Sequence, residues 1–274
     1  MNIRPAAPIL RGMLPTVLRH RRLVWRHAIV HLRHRYAGTG LGVVWNVLHP
    51  LAMIAIYSVV FGAIMKPPAI PGISGALAFP LYLCAGFLPW VAMAECVTRG
   101  ASAFTDNAAY LKKLPVPEPV FVAQAAAAAA MGLAISFGLL VVVALLAGLK
   151  PSAWWLLLPV PLLATQLMGL GVGLLLGTLN AFFRDVSQVL VVALQVVMWT
   201  APVVYLAETL PPWLRAAMAW HPFVPMLDAT RDLFLYARPP GAGTWIGMVA
   251  WPAAAIAAGT AVFGRLRAEI RDVL

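Results

Sequence analysis

Charge is scarce in this 274-residue chain: 11% of its residues are charged, against about 25% in an ordinary soluble domain. A solvated globular surface is therefore excluded. Acids are scarcer still, with nine Asp and Glu against twenty Lys and Arg, and none before Glu95. Cysteine is limited to Cys84 and Cys96 in one apolar run. On a helix their separation amounts to about 18 Å along the axis, too far for a disulfide, so both read as small buried hydrophobes. No Lys follows a Gly, which rules out a phosphate-binding loop ending in Gly-Lys. HExxH and GxSxG are likewise missing, as is any group of intramembrane acids of the kind that proton coupling uses. His27, His31 and His34 have neither Cys nor an acid close in sequence, so no metal site is expected. These absences count against an enzyme, and none is expected.

What the chain does have is oil: 62% of its residues are hydrophobic. A crossing needs about 20 apolar residues, and the runs predict an all-α membrane protein of six transmembrane helices over 41–65, 76–98, 119–149, 154–183, 187–206 and 244–263. Residues 1–274 form a single transmembrane domain, with no separate soluble unit. The first run follows a 40-residue basic segment and is too long for a signal-peptide core, so it is expected to remain as a span.

The net charge of +11 would suit nucleic acid in a soluble protein. Here the basic residues sit beside apolar spans, which points to membrane lipid and no nucleic acid. Eight Arg precede Leu41, and the 25 residues Leu41–Met65 carry no charged side chain. With six spans, fifteen of the twenty Lys and Arg fall on the side of the termini. The bias of cationic loops toward the cytoplasm thus places both termini there.

Residues 17–36, within a cytosolic segment 1–40, space Leu18, Trp25, Ile29, Leu32 and Tyr36 as one helical face among Arg and His. They predict either an amphipathic interface helix or a simple anchor on anionic lipid. In the cytosolic loop 99–117, Thr105, Asp106 or Asn107 can cap a short helix that Lys112 and Lys113 finish and prolines stop. This is either a docking element or a solvated connector. The 207–243 region carries Trp213, Trp220, Phe223 and several prolines in pieces too short to cross. These suit re-entrant helices or an aromatic belt at the outer interface. Gly169, Gly173 and Gly177 recur every four residues, a spacing that lets helices pack closely. Glu95 has Arg99 one turn on and is expected to pair with it.

Five ordered segments resemble a family: RYAGTGLGVVWNVLHPLAMIAIYSVVFG (35–62), AGFLPW (85–90), TRGASAFTDNAAYLKKLPVP (98–117), FFRDVSQV (182–189) and HPFVPMLDATRDLF (221–234). Together they are similar to the permeases of polysaccharide-export ABC transporters, the type-2 exporters of O-antigen, capsule or teichoic acid. The resemblance implies a homodimer in the bacterial inner membrane with two copies of a cytosolic nucleotide-binding ATPase. ATP and Mg would sit on that partner and no cofactor on this chain. It also implies a cytosolic coupling helix within 100–114, for which Phe104, Asp106, Tyr110, Leu111 and Lys112 are the candidates. The periplasmic gate would involve Trp213, Trp220 and Phe223. The expected cargo is a lipid-linked polysaccharide moving from cytosol to periplasm; a smaller lipid or drug is the alternative. Arg33 and Arg35 can meet its phosphate headgroup as charge-assisted donors. Tyr57, Trp90, Trp199 and Tyr205 are candidates to line a channel, since aromatic faces suit sugars; interface anchoring and helix packing explain them equally well.

Overall fold

The computed structural model describes residues 15–35, 38–64, 70, 75, 77–113 and 116–274. The rest of the expected 1–40 segment, together with Lys66 and Pro115, lies outside them. Among the described residues the chain is helical, with no strands. Helix α1 spans Arg21–His34, and α2 spans Trp45–Tyr57. A short 3-10 turn, Gly42–Val44, leads into α2 and a wider π turn, Ser58–Ile64, extends it. Then come α3 (Ala78–Asp106), α4 (Ala108–Lys113), α5 (Pro119–Leu146), α6 (Pro159–Phe182), α7 (Val186–Thr200), α8 (Pro212–Met218), α9 (Val224–Phe234) and α10 (Ala242–Val273).

Among the described residues, five helical stretches are long and apolar enough to cross a membrane: Gly42–Phe61, Ala78–Asp106, Pro119–Leu146, Ala153–Phe182 and Ala242–Ile270. The fifth expected span, 187–206, is shorter than expected. In place of a helix over 187–206 stands α7, whose 15 residues measure about 22 Å, short of the hydrocarbon thickness of about 30 Å. Pro202 explains the early stop. Its ring disfavours helical geometry in the preceding residue, and Ala201 is extended at φ −94 and ψ 145. The second expected span is corrected in the other direction, because α3 runs eight residues past 98 to Asp106.

Helix α6 lies at the centre, packed chiefly against α3 and α10. The glycine spacing explains how. A Cβ on Gly100 would stand 2.7 Å from the Cα of Gly173, and one on Gly177 would stand 2.5 Å from the Gly100 carbonyl oxygen. On another face of α6, a Cβ on Gly171 would run into the backbone of Ala255 and Ile256 on α10. Lipid tails are as apolar as leucine, so helices in a bilayer hold together through such close backbone approach rather than through a hydrophobic drive. Helix α5 covers α3, and α1 lies across the start of α5 with Val24 and Ala28 buried. Cys84 and Cys96 are buried and unlinked.

Gly173→Leu should destabilise the subunit by about 3 kcal/mol, because the α3 backbone at Gly100 and Cys96, 3.1 and 3.4 Å from its Cβ position, leaves the side chain no space. Gly138, where a Cβ would meet nothing within 4 Å, should gain about 0.5–1 kcal/mol on replacement by Ala. Thermal melts of the two detergent-purified variants check both; a Gly173→Leu melt equal to the parent's would refute the seam.

Candidate functional site

The first cluster forms where α1 meets α3. From Ala78 to Glu95 the helix rises about 26 Å. Arg99 Nη1 donates to Glu95 Oε1 at 3.2 Å, as the i, i+4 spacing predicts. Arg35, at the end of α1, reaches the same carboxylate at 3.2 Å. Arg99 Nη1 also lies 3.0 Å from His31 Nδ1. An arginine can only donate, so Nδ1 accepts and the ring proton belongs on Nε2. Burial, and then the Arg99 charge, push the His31 pKa below its ordinary 6.5. Beside this network a cleft of about 200 Å³ is lined by His27, His31, Arg99, Ser102, Asp106 and Gln124, among others. Of the two expected headgroup donors, Arg35 is therefore engaged with Glu95, while Arg33 is exposed on α1.

Beyond Glu95, α3 continues as a stalk. Asn107 ends it and begins α4: its Nδ2 donates to the Ala103 carbonyl at 2.8 Å, and its own carbonyl accepts from Leu111 N at 2.9 Å. The five expected coupling residues divide by burial. Phe104 and Leu111 are 0% and 1% exposed, in a cluster with Phe263 and Ile270 of α10. Tyr110 is 59% exposed, and Asp106 and Lys112 are also at the surface, Asp106 accepting from Ser102 Oγ at 2.6 Å. Two further ties fasten this end. Glu118, 2% exposed, pairs with Arg267 Nε at 3.2 Å, and Asn180 Nδ2 donates to the Ala101 carbonyl at 3.0 Å. A recess of about 420 Å³ opens between α4, the end of α6 and Leu274, with Thr105, Arg184 and Ser187 on its wall.

At the opposite end, the chain after Ala201 is held by a buried cation. Arg231 of α9, 3% exposed, donates to the carbonyls of Pro202 (2.8 Å), Val203 (2.9 Å) and Tyr82 (3.3 Å) and stacks 3.5 Å from the Tyr82 ring. Its sequence neighbours Asp228 and Asp232 point to a local ion pair and give no signal for this carbonyl cage. Trp90 and Phe223 stand edge to face, 5.1 Å apart, at 4% and 0% exposure. Within the subunit both are core. Tyr57 packs edge-on to Phe87 at 5.1 Å. Trp199, Trp213 and Trp220 are exposed at the surface, and the Tyr205 hydroxyl donates to the Trp199 carbonyl at 3.0 Å. His221 Nδ1 accepts from Phe223 N at 3.2 Å, and burial lowers its pKa.

Residues 21–235, from the start of α1 to just past α9, match the family model described as ABC-2 type transporter. The chain is similar to an O-antigen export system permease protein RfbA of Klebsiella pneumoniae, 26% identical over 205 residues, 74% of this chain and 76% of that protein. It resembles the protein of the same name in Myxococcus xanthus at 26% over 243 residues, covering 88% and 91%. It is also similar to the polysialic acid transport protein KpsM of Escherichia coli at 23% over 202 residues, covering 73% and 76%.

The lowered His31 pKa sets the sign of a pH effect. Below pH 6.5 the unfolded chain takes up a proton on this ring that the folded ring resists, so stability falls as the pH falls. Arg99, Arg35 and Glu95 face the ring, and His221 acts in the same direction. His31→Gln keeps an acceptor for Arg99 without a titration. The melting temperature of this variant minus that of the parent should therefore rise between about pH 7 and about pH 5. A difference that stays constant across that range would remove His31 from the account.

Proposed function

The chain belongs to the ABC-2 type transporter family, and on that premise we propose that it is the membrane-spanning subunit of an ATP-driven exporter carrying lipid-linked polysaccharide out of the cytosol. The observation that carries this reading is the match over α1–α9, taken with relatives named for O-antigen and polysialic acid export. O-antigen is the first reading of the cargo, since three of the similar proteins bear that name. The polysialic acid relatives support capsular polysaccharide as the second.

In this reading the α1 side is cytosolic, because the Lys and Arg crowd there, and both termini lie on it in the inner membrane. Helix α7, with the turn that Arg231 holds, makes a shortened sixth crossing, and α8 and α9 are re-entrant pieces at the periplasmic mouth. Backbone groups at that depth need partners, and the carbonyls of Pro202 and Val203 have the Arg231 guanidinium. Two subunits flank the path of the polymer, since close-packed helices within one copy leave no room for a hydrated sugar chain. Two ATPase subunits bind ATP and Mg. They dock on the exposed side of α4, through Tyr110, Lys112 and Asp106, and into the recess at Thr105, Arg184 and Ser187. Phe104 and Leu111 root that surface in the body, so a push on α4 passes into α3 and α10. Arg33 and Arg35, at the edge of the bilayer, receive the phosphate of the lipid carrier.

Deletion of the gene should leave finished polymer on the cytosolic side of the membrane, and the intact gene should restore export. Polymer reaching the surface at the parental level in the deletion strain would overturn the proposal. Tyr110→Asp with Lys112→Glu should abolish co-purification of the ATPase while leaving the melting temperature of the subunit unchanged. Full retention of the ATPase would place the dock elsewhere.

A further inference from the structure

A polar cleft runs along the stalk of α3 on the α1 side, and part of its wall belongs neither to the Glu95 network nor to the coupling surface. Two adjoining cavities make it up, about 200 Å³ and about 240 Å³, each far larger than the ~15 Å³ that one water needs. His27 of α1, Asn107 at the joint of α3 and α4, and Phe121 and Gln124 of α5 line both. His27 is exposed at the rim. Phe121, 7% exposed, forms an apolar wall with Leu23 and Val116.

Gln124 is the one amide of α5, a helix otherwise almost wholly apolar. It is half-buried, and among the described residues neither its amide nor the His27 ring has a hydrogen-bond partner. An amide taken from water without a partner costs about 1–3 kcal/mol, so packing alone does not account for it. Asn107 Nδ2 is committed to the Ala103 carbonyl, which leaves its Oδ1 to accept. His31 accepts from Arg99 at Nδ1, which leaves Nε2 to donate. Donors and acceptors thus stand side by side in one cleft. An anion only accepts, and it would face Asn107 Oδ1 and the Asp106 carboxylate. A cation only donates, and it would face Arg99 and His31 Nε2. A hydroxyl does both. A ring that carries several hydroxyls and lays its C–H groups against an aromatic side chain is a sugar.

We propose that this cleft is a sugar-binding site that takes one neutral pyranose unit, with hydroxyls at Gln124, His27 and Asn107 and C–H groups toward Phe121. In its role the site rests on the export reading: a unit of the polymer engages the subunit here, on the α1 side, before transport. Asn107 ends α3 and begins α4, so an occupied cleft touches the joint through which a push on α4 reaches α3.

The probes are the methyl glycosides of glucose, galactose, mannose and N-acetylglucosamine, offered to the full chain in a polyoxyethylene ether detergent, which carries no sugar. Saturation-transfer NMR, with protein-free micelles as the blank, should show at least one of the four bound with a Kd of about 1 mM. Gln124→Leu should weaken that binding about tenfold and leave the melting temperature unchanged, because the amide has no partner within the subunit to lose. Should that variant fail to fold, His27→Leu, at an exposed position, should weaken it about threefold. Absence of transfer to all four glycosides, or parental binding in both variants, would overturn the proposal. Displacement of the glycoside by an equal concentration of inorganic phosphate would assign the cleft to an anion, and that also overturns it. The export reading is tested separately by polymer accumulation in the deletion strain, so accumulation without glycoside binding removes this site alone.

Discussion

The structure depends on the approach of the α6 backbone to two neighbours at once. Gly173 and Gly177 admit Gly100 of α3 on one face, and Gly171 admits the Ala255–Ile256 backbone of α10 on another. In water an apolar stripe would suffice to assemble three helices, but in lipid the separated helices are no worse solvated, and only closeness distinguishes the packed state. Once α3, α6 and α10 are fused, the other elements have a frame to attach to. Helix α5 lies against α3, α1 against α5, and α4 continues from the end of α3.

Polar ties then fix the two ends of this body, each adapted to its depth. At the α1 end, Glu95 holds two arginines and Glu118 holds Arg267, so surface charges are fastened by partners of opposite sign. At the far end backbone carbonyls released by the break at Pro202 receive the Arg231 guanidinium. A carbonyl ring satisfies a guanidinium's donors and consumes acceptors that would otherwise be orphaned in the bilayer. The end bearing α4 is consequently rigid and presents an exposed Tyr110, while the end bearing α8 and α9 is built from short pieces around one cation. A body stiff at the driven end and segmented at the mouth suits a conduit moved by a partner.

Much of this was written in local sequence. The charge-free run after Arg35, the four-residue glycine spacing and the one-turn separation of Glu95 and Arg99 involve near neighbours or simple periodicity, and each appears in the fold where the pattern placed it. What escaped were features decided by contacts across many residues. Arg35 reads as a free basic residue until the fold brings Glu95, 60 positions later, to it. Trp90 looks like a ring available to a channel, but Phe223 of a distant segment buries it. Phe104 and Leu111 share a short helical region with Tyr110, and only the course of α10 decides that the first two turn inward. The shortness of α7 was legible, since Ala201-Pro202 carries a known helix-ending geometry, but hydrophobicity alone continued across it.

The proposed mechanism stands on α3 and α6 moving as one piece when a partner ATPase acts. That can be tested at Gly169, where a Cβ would lie 3.0 Å from the Sγ of the native Cys96. In Gly169→Cys, oxidation would join the two helices by a disulfide, verified by mass spectrometry of the linked peptides. With the ATPase partner in place, export by the oxidised complex should equal export by the reduced one. Loss of export on oxidation, restored by a reductant, would show that the seam slides during transport and would contradict the account.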